Sequence, residues 1–219
     1  MPDDKPKSDF SKIGHSNVNR AKSQERQIAK LLSAWTGEEF RRRRVTGRDN
    51  ATIAVDLCAD VIPVNGPFLF SVEAKTGKDF SFMSLVTSPK TSLFATWWHQ
   101  TCYDAQLIST SLKRTLYPML FFRPTPQTTW IGVSARVFPL LKPFVDVPQQ
   151  QVLNSACWFP HLYFDAFEWL GPVAGDVSHG RPKKGKPRTK KIVNVALDPV
   201  VICPWKDFAA NVDPSSAVV

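Results

Sequence analysis

The sequence has no apolar run approaching the roughly 20 residues that a membrane-crossing helix needs, and its first residues lack the apolar centre of a secretory signal. Cysteine is sparse: Cys58, Cys102, Cys157 and Cys203 stand far apart, with no C-x-x-C pair and no histidine pattern of zinc type beside them. That spacing excludes the usual structural zinc arrangement and leaves reduced, mostly buried thiols as the expectation, in a cytoplasmic protein without a membrane partner. The stretch from His179 to Lys191 is basic and contains no acidic residue. It carries Arg181, Lys183, Lys184, Lys186, Arg188, Lys190 and Lys191, and removing those seven from a formal net charge of +9 leaves +2. With two Gly, two Pro and no apolar residue, the segment cannot offset its own ordering entropy and reads as a flexible basic loop. Such a loop suits phosphate contacts with counterion release and little sequence preference. A solubilising or localisation-like basic run is the alternative reading.

At 219 residues, with 43% apolar and 11% aromatic content, the chain can bury a real core as one domain with appendages. Its most informative stretch is Val55 to Lys75: two β-prone runs joined at Asn65-Gly66, with Asp60 on the first and Glu73-Ala74-Lys75 closing the second. Strand side chains alternate faces, so Glu73 and Lys75 share one face. A turn near Asn65-Gly66-Pro67 folds the Asp60 run back beside them, and Asp56 stands an even number of residues from Asp60. Carboxylates converging from two strands suit a hard divalent cation such as Mg²⁺, which is held by one or two carboxylates plus waters and a substrate phosphate. A lysine beside them can orient the attacking water or neutralise charge on a pentacovalent phosphorus. The pattern points to a metal-dependent phosphodiesterase, with a solvated hairpin end as the alternative. Upstream, Asn19 to Trp35 reads as a helix with apolar positions at 28, 31, 32 and 35 and Gly37 as its stop. Packing that stripe on the sheet carries Glu25 to the sheet edge as a third carboxylate; otherwise it is a surface glutamate.

At this point the chain resembles the archaeal-type Holliday-junction resolvases of the PD-(D/E)xK nuclease superfamily. Four pieces match in order over roughly residues 19 to 135: Glu25-Arg26 followed by Ile28 and Leu31-Leu32; Phe40 to Thr46 with Arg44; Ala59-Asp60-Val61-Ile62; and Ser71-Val72-Glu73-Ala74-Lys75. His99-Gln100 then falls in a second helix, where family members often carry a glutamine facing the site. The resemblance implies an α/β, restriction-endonuclease-like core with a mixed β-sheet flanked by helices. It implies an Mg²⁺-dependent endodeoxyribonuclease of recombination or repair, with Mn²⁺ as an alternative ion. Asp60 and Glu73 would hold the metal, with the Ala74 carbonyl as a further ligand. Glu25 would complete the shell, Lys75 would position the water, and Gln100 would face the site. It places Arg44 near the active edge against DNA, whereas Arg41 and Arg43 cover the outer face. The sequence departs from the family at Ala59, where a proline is usual, and in length. Asp56 rivals Asp60 as metal ligand, since Val55-Asp56-Leu57 also looks like the motif, but spacing favours Asp60. A homodimer acting on branched or duplex DNA is expected, in the host-cell cytoplasm if the chain is phage-encoded. The alternatives are a restriction- or repair-type nuclease on linear DNA and a non-catalytic DNA-binding module.

The expected organisation is a flexible tail over 1–18, a nuclease core over 19–139, and a C-terminal extension over 140–219 that bears the basic loop 179–191 and packs on the core. Residues 76–91 read as a loop, Leu93 to Leu112 as a helix, and Leu116 to Arg123 and Thr129 to Ala135 as strands. Tyr117 to Phe122 is apolar on both faces, as befits a central strand covered on each side. Cys157 to Asp165 is densely aromatic and reads as core or interface rather than a base-stacking platform, with His161 structural. Lys191 to Val195 reads as a strand.

Overall fold

The computed structural model describes residues 10–43, 59–77, 80–88, 92–125, 128–143, 162–164 and 198–218. Helix α1 (Phe10–Thr36) is followed by β1 (Phe40–Arg42), β2 (Val61–Pro63) and β3 (Phe70–Thr76). Helices α2 (Phe82–Thr87) and α3 (Leu93–Leu112) lead to β4 (Tyr117–Thr125) and β5 (Thr128–Ser134). The rest comprises a 3-10 turn at Ala135–Leu140, β6 (Lys142–Pro143), β7 (Leu162–Phe164), β8 (Val200–Pro204), α4 (Trp205–Asn211), β9 (Val212–Asp213) and a last 3-10 turn at Pro214–Ser216. The main sheet runs β1-β2-β3-β4-β5-β8-β7, and β6 pairs with β9 in a separate two-stranded sheet. Among the described strands only the β3–β4 pair is parallel, the chain returning through α2 and α3; the other pairs of the main sheet are antiparallel. This is an α/β fold with a mixed sheet between helices, as the sequence pattern implied.

Alternation along the central strands assigns the two faces. Met119 and Phe121 of β4, Ile131 and Val133 of β5, and Val201 and Cys203 of β8 join Ile28 and Leu32 of α1 and Trp205 and Phe208 of α4 in one core. Leu120 and Phe122, with Val200 and Ile202, meet Leu85 of α2 and Phe94 and Trp98 of α3 in the other. Each face is apolar because each is covered, which is why Tyr117 to Phe122 reads as a continuous hydrophobic run. Gly132 lies on the α3 side, where a Cβ would come within 3.0 Å of the Phe94 ring, so its lack of a side chain lets that helix sit close. On β3, Phe70 and Val72 belong to the α1 side. The intervening Ser71, Glu73 and Lys75 therefore project from the α3 side.

Helix boundaries follow local chemistry. Gly37 adopts φ +77° just past α1 and its N–H bonds the Ser33 carbonyl at 2.9 Å, the stop that glycine supplies at a helix end. Ser92 caps α3, its hydroxyl accepting from the Ala95 N–H at 3.1 Å. Gly66, φ +76°, occupies the left-handed turn that leads back towards β3. Helix α1 begins at Phe10, nine residues before the expected start, and α2 occupies part of the expected loop 76–91. Phe80 and Phe82 hold α2 by ring contacts with Phe122 and Trp130, tertiary support that local sequence does not announce. The expected strand at 191–195 lies outside the described residues, as does nearly all of the aromatic run at 157–165.

Residues beyond Pro139 complete the sheet: β8 pairs with β5 from Trp130↔Pro204 to Ser134↔Val200. Helix α4 then buries Trp205 and Phe208 against the α1 side, with Trp35 edge-on to Trp205 at 5.5 Å. Phe208→Ala is expected to destabilise the protein by about 3–5 kcal/mol, as ring deletion from a closed core does, in a urea unfolding curve of unchanged slope. A cost below about 1 kcal/mol would show that α4 is peripheral.

Candidate active site

The C-terminal end of β3 collects the charged residues that the sequence singles out. Asp60 just precedes β2, and the ladder hydrogen bonds extend to hold it on both sides: its N–H donates to the Val72 carbonyl at 3.0 Å, and its carbonyl accepts from the Arg43 N–H at 3.0 Å. Its side-chain Oδ2 accepts from the Ala74 N–H at 2.9 Å. Three hydrogen bonds thus fix Asp60 at the β2–β3 edge with its carboxylate beside Glu73. Lys75 Nζ donates to Glu73 Oε1 at 2.6 Å, as the shared face of residues two apart requires. Glu25, on α1, accepts from Arg42 Nη1 at 3.3 Å. The four residues Glu25, Asp60, Glu73 and Lys75 are therefore brought to one sheet end, with Asp60 between the α1 side and the α3 side.

Burial sets the electrostatics. Glu73 is only 4% exposed. Desolvation, with the nearby Asp60 charge and a smaller push from Asp104, raises its pKa to about 8 against the pull of Lys75. Asp60 is raised by burial too, opposed by the Ala74 N–H, by the charges of Lys75 and Arg43, and by a hydrogen bond with Glu73. Burial and the Asp60 charge raise Glu25, while Arg42 and then Lys22 oppose them. When both are ionised, Asp60 and Glu73 repel one another, and a cation between them would relieve that repulsion. Among the described residues no three His, Cys, Asp or Glu groups converge on one point. The donors present are carboxylate and carbonyl oxygens without sulfur or imidazole, and two carboxylates completed by water and phosphate oxygens are what Mg²⁺ uses. The residues therefore fit a hard divalent cation, which Asp60 and Glu73 would hold.

Other expected residues divide into placed and unplaced. Gln100 is half-buried on α3, between Trp97 and Asp104 on one helix face. Arg44, Asp56 and the loop residues Arg181, Lys183, Lys184, Lys186, Arg188, Lys190 and Lys191 lie outside the described residues. Four residues at the site were not anticipated in these roles. Arg42 and Arg43 face Glu25 and Asp60 electrostatically, although the sequence pattern drew attention to Arg44. Asp104, 2% exposed, adds negative potential at Glu73, and its position four residues after Gln100 was the readable signal. Gln24, 6% exposed, donates from Nε2 to the Lys75 carbonyl at 3.0 Å. It shares the buried stripe of Ile28 and Leu32, but nothing local marks a glutamine there as a strand clamp.

Two of the four cysteines, Cys102 and Cys203, lie among the described residues. Cys102 and Cys203 are free and buried, and burial pushes the Cys102 thiol well above the usual range. No described helix is long and apolar enough to cross a membrane.

The raised Glu73 pKa makes stability pH-dependent. A folded-state value near 8 against an ordinary 4.5 means that the native protein holds this proton more tightly than the unfolded chain does. The resulting stabilisation is complete below about pH 4.5 and is lost as pH rises through about 8. In EDTA, the calorimetric Tm of the wild type should fall across that interval, and Glu73→Gln should flatten the fall. An identical slope in both proteins would contradict the assignment.

Compared with known proteins, residues 16–153 match the family model described as "Phage putative PDDEXK endonuclease". No curated protein matches the chain, and neither does any solved structure. The matched span contains α1 from residue 16 onward, β1 to β5 and every carboxylate of the site, and the mixed sheet with flanking helices agrees with the restriction-endonuclease-like fold of PDDEXK proteins.

Proposed function

The chain belongs to the phage PDDEXK endonuclease family, and from that premise we propose that it is a divalent-metal-dependent DNA endonuclease that works at the Asp60–Glu73–Lys75 end of β3. The observation carrying this reading is the pairing of buried Glu73 with half-buried Asp60, both carboxyls raised by desolvation, beside a lysine whose Nζ stands 2.6 Å from Glu73. Asp60 and Glu73 hold Mg²⁺, or Mn²⁺ in its place, with the Ala74 carbonyl as a further oxygen. When bound, the cation supplies Lewis-acid polarisation of the phosphate and eases ionisation of water. Lys75 orients the attacking water and offsets charge gathering on the phosphorus. Glu25 acts from the α1 side through water. Gln100, from α3, faces the same end of the sheet.

DNA as substrate is supported by the family and by charge. Arg26 and Lys30 are exposed on the outward side of α1, and Lys22 joins them at the same four-residue spacing, a stripe that the phosphate backbone would neutralise. Arg42 and Arg43 lie closer to the carboxylates, and Arg44 continues the run. A structure-selective enzyme of Holliday-junction resolvase type, acting as a homodimer with two sites related by a two-fold axis, is the finer reading. It rests on the order of Glu25-Arg26, Asp60, Glu73-Ala74-Lys75 and Gln100. The same catalytic end would serve a nuclease of linear duplex DNA, and cleavage compared on four-way junction, fork, single strand and linear duplex decides between them.

Asp60→Asn and Glu73→Gln are each expected to abolish Mg²⁺-dependent cleavage while leaving DNA binding equal or tighter, because a lost ligand charge weakens metal binding and also reduces repulsion of phosphate. Asp56→Asn should be milder. Wild-type-like turnover by either of the first two would sink the assignment, and a more severe Asp56 effect would move the ligand role there.

Replacing the seven basic residues of 179–191 with Ser should weaken binding to all DNA forms about equally, while cleavage at saturating DNA persists. The slope of log affinity against log salt should flatten by roughly one unit per lost duplex phosphate contact. An unchanged affinity and salt slope would make the segment a solvated loop or a targeting signal.

A further inference from the structure

Two side chains from outside β3 grip its main chain at the catalytic triplet. Asp60 Oδ2 takes the Ala74 N–H at 2.9 Å, and Gln24 Nε2 reaches the Lys75 carbonyl at 3.0 Å. The first grip comes from the strand edge and the second from α1, the helix that carries Glu25 one residue further on. Lys75 and Glu73 project their side chains towards α3, so Gln24 holds the strand from the opposite face without occupying the space in which substrate and ion would sit. A glutamine at 6% exposure on a stripe otherwise made of Ile28 and Leu32 is costly to bury unless its polar atoms are used. Here the amide is spent on the one strand end that carries both Glu73 and Lys75.

We propose that Gln24 is a positioning residue for the metal-holding pair: its hydrogen bond to the Lys75 carbonyl locks the Glu73-Ala74-Lys75 segment in register with Asp60, and fixes how far Glu25 stands from that pair. The inference rests on the metal-dependent reading of this site. Without the Gln24 grip, β3 would still pair with β4 along its length, but its last residues would shift relative to α1 and the Asp60–Ala74 contact would loosen. An ion would then have to order the two carboxylates on binding rather than meet them in place, so affinity would fall before the chemistry did.

The test is calorimetric titration of Mn²⁺ into the full chain, paired with the Mn²⁺ dependence of DNA cleavage. Gln24→Met keeps length and volume but removes the donor. Gln24→Ser, too short to reach the carbonyl and tolerant of a water in the gap, serves if the methionine variant does not fold. Ser33→Ala is the control, since it removes a comparable side-chain bond of α1, that from the Phe40 N–H at 2.8 Å, remote from the carboxylates. The Gln24 variants should bind Mn²⁺ about five- to tenfold more weakly. The Mn²⁺ concentration for half-maximal cleavage should rise in parallel, with kcat at saturating Mn²⁺ within about twofold of wild type. Ser33→Ala should lower Tm and leave Mn²⁺ affinity unchanged. Gln24 variants that lose Tm but retain wild-type Mn²⁺ affinity would overturn the proposal and leave the metal reading intact. A wild type that binds no Mn²⁺ would overturn both.

Discussion

The hydrogen bond from the Ala74 N–H to Asp60 Oδ2 is the contact on which the site depends. Strand β2 is three residues long and meets β3 at the single register pair Val61↔Val72, so main-chain pairing alone would hold this edge weakly. The Asp60 side chain extends that pairing beyond the strand's end, and in doing so brings one carboxylate against another. Folding here creates an electrostatic problem: Asp60, Glu73 and Asp104 crowd around the buried end of β3, and Glu25 adds to them from α1. Lys75, Arg42 and Arg43 offset part of the repulsion. The remainder appears as carboxyl groups that resist ionisation, which is the condition that a divalent cation reverses.

The scaffold makes this end rigid. Strands β3 and β4 run parallel over seven register pairs, with Met119 to Phe122 fully buried between two helical layers. A parallel pair of this kind ends both strands on the same side, so the residues that close β3 emerge from a closed core onto one rim. The neutralising charges then extend outward from that rim along α1, through Lys22, Arg26 and Lys30. A polyanion drawn to those cations would be led toward the carboxylates proposed to hold the ion.

The parts legible in the sequence were those fixed by local periodicity. The helix at Leu93–Leu112 was readable to the residue, and the strands around Phe121 and Ile131 to within two, because β4 and β5 are apolar on alternating or both faces. Asp60, Glu73 and Lys75 could be associated because strand alternation and one turn suffice to bring them together, and Glu25 because its helix stripe has to face the sheet. What stayed hidden depends on distant contacts. Helix α2 exists because Phe80 and Phe82 find Phe122 and Trp130, some forty residues on. The completion of the sheet by β8 requires pairing across more than sixty residues. Gln24 looked like an ordinary helical glutamine, since its partner is a main-chain carbonyl 51 positions away. Arg42 was passed over because a strand of arginines does not reveal which one meets Glu25.

The proposed role of Asp60 and Glu73 is to hold jointly the divalent ion at which DNA would be cut. Crystals of the protein soaked in Mn²⁺ and measured at the manganese absorption edge test it most directly. An anomalous peak is expected at this sheet end within direct bonding distance of a carboxylate oxygen from each of Asp60 and Glu73, with Glu25 reached through water. A peak held by other residues, or none at an Mn²⁺ concentration that supports cleavage, would contradict it.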